Sequence, residues 1–479
     1  MQRNATNAKI NKAACKTRKG FYTFRNHRRW RSTNGIVTAC VVFLLICHGC
    51  LLAYEATRMS PTLNEPAHLA SGLAHWTFSR FDLYAVNPPL VRMVAALPVL
   101  GVGYKENWND LSQSPARYGN REEFIVGEAF VTANGARSLW LIILARWACI
   151  PLIMWGGVIC FFWSYELWGN ALAGFISLSL WCFDPNILAH GSLITPDCCA
   201  ASFGLTATYC FWRWLRVPTW CRTSIAGGSL GLALLTKTTW VVMFGLWPLI
   251  LLYWMFTQRY CICIFGDDGL KCNSRTVILK LAVILLIGLY VLNCGYAFDE
   301  TCTRLGEYKF VSRDLIANGS SGVPSNRFSG TLLEGIPLPI PKQYILGIDL
   351  QKYDFETCND ASYLLGEWKT GGWWYYYLVG LAVKLPHGSQ ALIAFALLAM
   401  FGRYRSRDSR VEMLCFDSSM RDICVLLAPP ITVLFLVSLQ LRFNHHIRYV
   451  LPTLGFVFVF AGASSSWCLP SSQKTSAIS

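Results

Sequence analysis

The chain has 479 residues and a net charge of +15, yet it is 54% hydrophobic and only 14% charged, where soluble domains carry roughly 25% charged residues. With a mean hydropathy of +0.37, this excludes a soluble multidomain enzyme and a disordered or fibrous chain, and leaves a polytopic membrane protein. The positive charge is no nucleic-acid footprint either: residues 1–54 hold no Asp or Glu, and their ten Lys and Arg all precede position 32. Basic clusters flanking apolar runs follow the positive-inside pattern, and no basic patch is joined to a nucleic-acid recognition module.

In chain order, residues 1–34 form a basic cytoplasmic tail and 35–54 the first span. The long basic head and the lack of an A-x-A site make this span a retained anchor rather than a signal peptide. Residues 55–138 then form a first outer loop. Within it, 65–80 is amphipathic and 88–100 apolar but short, so both are expected along the membrane surface. Residues 139–163 return inward, 170–183 go out, and the segment from Asp184 to Asp197 reaches the outer face. Residues 198–215 go back in. The apolar run 224–256 is read as two spans meeting outside at Thr236-Lys237-Thr238. A cytoplasmic loop at 257–276 precedes a span at 277–297. Residues 298–372 hold ten acids against seven Lys and Arg, which places this second large loop outside. Residues 373–401 return, with a break near Lys384-Leu385-Pro386, and Arg403, Arg405, Arg407 and Arg410 mark the cytoplasm. Spans at 423–441 and 447–466 bracket an outer turn at 442–446, and 468–479 is a short cytoplasmic tail. The fold expected is all-α: a transmembrane domain over 35–467, with about 10–12 membrane helices and two larger outer loops.

The 20 cysteines form no paired metal-binding pattern and lie mostly in apolar segments as small buried hydrophobes. A Cys302–Cys358 disulfide stays open, because both residues fall in one outer loop.

Chemistry concentrates at the outer ends of spans. Asn64, Glu65 and Pro66 open a helix for which Asn64 can serve as cap. Glu65, His68, Gly72 and His75 then fall within about 80° of one face. This set suits general-base or metal work, or else a polar stripe docked on headgroups. Asn87 before two prolines is held extended, and Arg92 one helical turn later either faces headgroup phosphates or snorkels. Asp197 opens an apolar helix, where a carboxylate is either a cap or a functional group at the membrane boundary. Lys237 interrupts the longest apolar run, and Arg448-Tyr449 open the last span beside Asn444, His445 and His446. Two separated cations at one interface suit a lipid phosphate. Tyr363 through Glu367 to Trp368, followed by Trp373 to Tyr377, form an interfacial belt or a platform for sugar rings.

Taken together these residues resemble glycosyltransferase family 39, polytopic GT-C enzymes that use polyprenyl-phosphate sugars and include protein O-mannosyltransferases and lipid A aminoarabinose transferases. The likeness runs from about residue 60 to 460 through NEPAHLASGL, VNPPLVRMVAALP, PNILAHGSLITPD, GLALLTK, YLLGEW, GGWWYYYL and RYVLP, and is nearest to planctomycete-type bacterial members. The resemblance implies a GT-C-like bundle in a bacterial cytoplasmic membrane. It implies transfer of a sugar, with inversion, from a polyprenyl-phosphate carrier at the outer face to an acceptor hydroxyl on a protein, lipid or glycan. It also implies a base in the first loop, an acid at Asp197, and Lys237 and Arg448 on the departing phosphate. The family pattern has Asp where this chain has Asn64, and an amide cannot act as a carboxylate base. The role then falls to Glu65, supported by Asp197, or to Asp197, or the activity is altered. The remaining site residues from the likeness are His68, Asn87, Arg92, Tyr363, Glu367 and Tyr449. No cofactor is certain, although Glu65 with His68 can hold a divalent metal, as some family members do. The rival readings are a polyprenyl-lipid transporter or flippase and an inactive GT-C-like protein. A transporter should carry ionisable groups near the membrane midplane in several spans, whereas here the acids gather at outer ends and only Arg146 and Lys384 lack a place.

Overall fold

The computed structural model describes residues 35–106, 108, 121–265, 274–318, 324–405, 410–440, 444 and 446–468. The basic tail 1–34, part of the expected cytoplasmic loop (266–273), Arg407, Arg442, His445 and the end of the C-terminal tail lie outside the described residues.

The chain is a helical, multi-pass membrane protein. The anchor α1 (Gly35–Arg58) is followed by three helices of the first outer loop: α2 (Asn64–Phe78), α3 (Leu90–Val102) and α4 (Glu122–Asn134). Next come α5 (Arg137–Trp168), α6 (Ala171–Phe183), the short α7 (Pro185–Gly191), α8 (Asp197–Arg216), α9 (Trp220–Thr236), α10 (Met243–Phe265) and α11 (Ser274–Gly295). The second outer loop carries α12 (Lys342–Thr357), and the chain closes with α13 (Tyr376–Lys384), α14 (His387–Arg405), α15 (Arg410–Ser438) and α16 (Leu454–Ala461).

Among the described residues five helices are long and apolar enough to cross a membrane, or up to seven when each bent pair counts as one span, against the 10–12 expected of the whole chain. The difference has a composition cause. α8 carries Asp197, Arg213 and Arg216 and a polar row of Ser and Thr, and α9 has only 17 residues. The predicted breaks are where the chain bends. α9 ends at Thr236, Lys237 is extended, and a 3₁₀ turn over Thr238–Val242 leads into α10. α13 and α14 meet at Lys384-Leu385-Pro386 with a bend of 108°, because Pro386 cannot continue the ladder of α13.

The second outer loop is not all-helical. β1 (Ile316–Asn318) pairs with β2 (Pro324–Asn326), and β3 (Ala361–Leu364) with β4 (Glu367–Thr370), both antiparallel. Leu365 and Gly366 both have positive φ, so the second hairpin turns through two residues in the twist-compatible geometry. The suggested disulfide between Cys302 and Cys358 is not formed.

The first outer loop packs inward rather than along the membrane surface. α2 is buried continuously from Ala67 to His75. A Cβ on Gly72 would stand 2.2 Å from the Arg92 carbonyl oxygen, so α2 and α3 approach too closely for any side chain there. Gly347 of α12 does the same across the two outer loops, since a Cβ would stand 1.9 Å from the Ala85 carbonyl oxygen. These two contacts clamp the outer loops together above the bundle.

Candidate functional site

Two buried carboxylate–cation pairs sit at one end of the bundle, beside the two large loops. The first is Glu65 with Arg146. Glu65 reaches back from the first turn of α2 to the Thr62 backbone N–H at 2.8 Å, the second half of a capping box written Thr62-Leu63-Asn64-Glu65. In such a box Thr62 is the cap, so Asn64 stands within the first turn and is not the cap. The Glu65 carboxylate also accepts from Thr62 Oγ1 (3.2 Å), the Ile194 backbone N–H (3.2 Å), and Arg146 Nε and Nη2 (both 2.7 Å). Arg146 spends its remaining donors on the carbonyls of Ala56 and Met59 (2.7 Å each) and Ser60 (3.1 Å). All five guanidinium N–H groups have acceptors. Glu65 is 0% exposed, and its oxygens take five donors. The expectation that Glu65 serves as a base, or holds a metal with His68, does not fit a carboxylate with every lone pair engaged. Arg146, unplaced by the sequence, is the partner that locks α1, α2 and α5 together.

The second pair is Asp197 with Lys237, Nζ to Oδ1 at 2.6 Å. Asp197 stands on the first turn of α8, but its carboxylate faces Lys237 rather than capping the helix. Lys237 is presented by the extended break between α9 and the 3₁₀ turn. Two further bonds hold this register. Trp240 Nε1 donates to the Ala200 carbonyl at 2.9 Å, three residues beyond each partner of the pair, and Thr238 Oγ1 donates to Gln351 of α12 at 3.1 Å. Lys237 Nζ lies 5.4 Å from the Tyr449 ring centre, and the Arg448 guanidinium lies 5.6 Å from the same ring. Arg448 also lies within electrostatic reach of Asp197. His190 of α7 faces the same charges, those of Asp197, Arg448 and Lys237. Among the described residues Asp197 accepts from Lys237 alone, so this pair keeps open valence that Glu65 and Arg146 lack.

A wall of stacked groups joins this cluster to the first loop. The His68 ring stacks on Tyr84 with centroids 4.1 Å apart. Burial, with Arg92 next in weight, pushes the His68 imidazole well below its usual range, so it is neutral near pH 7. Arg121 lies 5.9 Å from the Tyr84 ring centre and bonds Asp354 of α12 at 2.6 Å, and the next residue, Phe355, packs on Tyr449. Sequence reading missed Arg121, Asp354 and Tyr84, which carry no motif.

Other expected residues fall elsewhere. Arg92 neither snorkels nor faces headgroups: it is 2% exposed and donates to His75 and to the Asn87 carbonyl. Asn87 contributes that carbonyl from its turn, and its amide nitrogen bonds Tyr84 O at 3.3 Å. Tyr363 and Glu367 sit on the exposed β3–β4 hairpin, with Tyr363 packed on Trp368 across the strands at 5.2 Å. They do not join the Asp197 cluster among the described contacts. No group of three or more metal-ligating side chains comes together among the described residues.

Fold and site thus define a multi-pass helical membrane protein with an acid–cation cluster beside its two large loops. Residues 139–299 match the family model described as dolichyl-phosphate-mannose-protein mannosyltransferase, in line with the family 39 resemblance of the sequence. The matched stretch runs from α5 through α11 and contains Asp197 and Lys237. Comparison with curated proteins returns no match. Two solved structures are similar, both of ArnT from Cupriavidus metallidurans. For the form bound to undecaprenyl phosphate the identity is 12% and the TM-score 0.47, over 93% of this chain and 62% of that one. For the apo form the identity is 12% and the TM-score 0.44, over 91% and 62%. This chain therefore spans about three fifths of the length of the solved structures it matches.

Proposed function

We propose that the protein is a membrane glycosyltransferase that moves a sugar from a polyprenyl-phosphate carrier to an acceptor hydroxyl at the outer face, with inversion at the anomeric carbon. The observation that carries the reading is the Asp197–Lys237 pair with Arg448 and Tyr449 beside it, the pair itself lying within the stretch matched by the mannosyltransferase family model. The donor phosphate sits against Lys237 and Arg448, two cations that stabilise the charge left when the glycosidic C–O bond breaks. Asp197 takes the proton from the acceptor hydroxyl as its oxygen bonds to the anomeric carbon, and the polyprenyl phosphate leaves with the bonding pair. Asp197 takes the base role here in place of Glu65, because its carboxylate has one protein donor and Glu65 has five. Asn64 and His68 border the acceptor side. A transporter is less well supported, since Arg146, a cation that favoured it, is fully engaged in a structural pair.

The test supplies a panel of polyprenyl-phosphate sugars to membranes holding the wild type or Asp197→Asn, with candidate acceptors, and follows free polyprenyl phosphate by mass spectrometry. Release by the wild type and not by the variant is expected. Equal release by both would remove Asp197 from the base role, and release by neither with any donor would remove the transferase reading.

A further inference from the structure

Beside Tyr84, three buried polar groups have donors with no hydrogen-bond partner among the described residues. Arg92 of α3 gives Nε–H to His75 Nε2 at 2.8 Å and Nη2–H to the Asn87 carbonyl at 2.5 Å. Its Nη1 is buried and has no hydrogen-bond partner among the described residues. The guanidinium lies over the Tyr84 ring, 5.3 Å from its centre. Tyr296, just after α11, is within electrostatic reach of Arg92, and Tyr344 of α12 meets the Tyr296 ring edge-on at 6.3 Å. Both rings are 1% exposed and both hydroxyls are buried without a partner.

The charge balance singles this place out. His75 donates from Nδ1 to the Arg80 carbonyl, which leaves Nε2 as the acceptor for Arg92 and the ring neutral. Burial, with Arg92 next in weight, also pushes that imidazole well below its usual range. Among the described residues no carboxylate contacts Arg92, in contrast to Arg146 with its bidentate Glu65, and Glu123, which lies within electrostatic reach, is already paired with Arg121 at 2.5 Å. Burial brings the Arg92 guanidinium down to about 10. A buried cation without a counter-ion costs several kcal/mol, and a water can satisfy its N–H groups but not its charge.

We propose that Arg92, Tyr296 and Tyr344 form a buried site for one small monovalent anion, either a free halide or the carboxylate of a bound substrate. Arg92 Nη1 supplies the charge-assisted bond and the two tyrosine hydroxyls donate to the same acceptor. This site does not depend on the transferase reading, because none of its three groups belongs to the Asp197 pair.

The experiment uses the full-length protein in detergent micelles with methanesulfonate, a weakly coordinating monovalent ion, as the starting anion. Chloride in one arm and acetate in the other replace it at constant ionic strength, and thermal unfolding is followed by tryptophan fluorescence. A saturable rise in melting temperature is expected in the wild type and in Lys237→Met. It should vanish in Arg92→Gln, and its half-saturation should rise about tenfold in Tyr296→Phe, the loss of one hydrogen bond to a charged group. The arm that saturates at the lower concentration separates a halide site from a carboxylate site. The proposal fails if the wild type responds to neither anion, or if the response persists unchanged in Tyr296→Phe. It fails equally if Lys237→Met alone abolishes the response, which would place the anion at the Asp197 cluster. Should Arg92→Gln not fold, Tyr296→Phe decides.

Discussion

Glu65–Arg146 and Asp197–Lys237 are both buried, oppositely charged pairs at the same end of the bundle, yet they are built for different work. The Glu65 carboxylate is closed on every side by Thr62, Ile194 and Arg146, and Arg146 closes in turn on three carbonyls of the chain leaving α1. Among the described residues Asp197 has one hydrogen-bond partner, and Lys237 has Asp197 and the face of Tyr449. Burial alone does not mark an active group: a saturated pair fixes geometry, and an unsaturated one can exchange a proton or receive a phosphate. The two are also linked. Ile194, whose N–H the Glu65 carboxylate accepts, stands three residues before Asp197, so the closed pair sets the position of the open one.

The contrast breaks most sharply at Asp197. Asp197→Asn should lower sugar transfer by about 10²–10⁴-fold, the usual contribution of a general base, with a smaller loss of melting temperature than Glu65→Gln because Lys237 keeps the face of Tyr449. Glu65→Gln should do the reverse. It leaves Arg146 as an uncompensated buried cation, at a cost of about 3–5 kcal/mol in unfolding free energy. Replacing both, as Glu65→Leu with Arg146→Met, should recover much of that loss in a double-mutant cycle read by thermal unfolding. A Glu65→Gln protein that melts like the wild type but transfers no sugar would reverse the two assignments.

The parts of this comparison differ in how visible they are in the sequence. The chain break at Lys237 and the bend at Pro386 are legible, because a cation or a proline interrupts an otherwise continuous apolar run. Asp197 is legible as an acid at a span boundary. The Glu65–Arg146 pair is not: its partners are 81 residues apart, and an arginine within an apolar stretch carries no mark of which carboxylate it meets. The capping box from Thr62 to Glu65 was readable, and it points the Glu65 carboxylate back toward the chain rather than outward. The inward packing of α2 is hidden because a helix with His, Glu and small residues on one face looks alike whether that face meets headgroups or other helices. Only the close approach at Gly72, set by Arg92 on another helix, decides it.

The cation of the open pair gives the next effect. Lys237→Met should reduce transfer by roughly 10²–10³-fold, the range seen when one preorganised donor to a developing anion is lost. Arg448→Met should give a smaller loss, because Arg448 is half-buried and, on the proposed reading, Lys237 would still face the phosphate. Steady-state kinetics with a polyprenyl-phosphate sugar separates the two: the Lys237 change should lower kcat, and the Arg448 change should mainly raise KM for the donor. Equal and small effects from both would detach the pair from the phosphate.

The smallest effect is expected at Asn64, and it tests the comparison from the other side. Asn64 precedes the sealed Glu65 and is half-buried on the first turn of α2, where a carboxylate is favoured by the helix dipole. If the base is Asp197, a second acid at the start of α2 adds little to proton removal. Asn64→Asp should then change the transfer rate by less than about tenfold, under about 1.4 kcal/mol in the barrier. The rate should still collapse in Asn64→Asp with Asp197→Asn. A gain of several hundredfold in the single variant, kept when Asp197 is also changed, would mean that the first loop is the place for the base and that this chain lacks it.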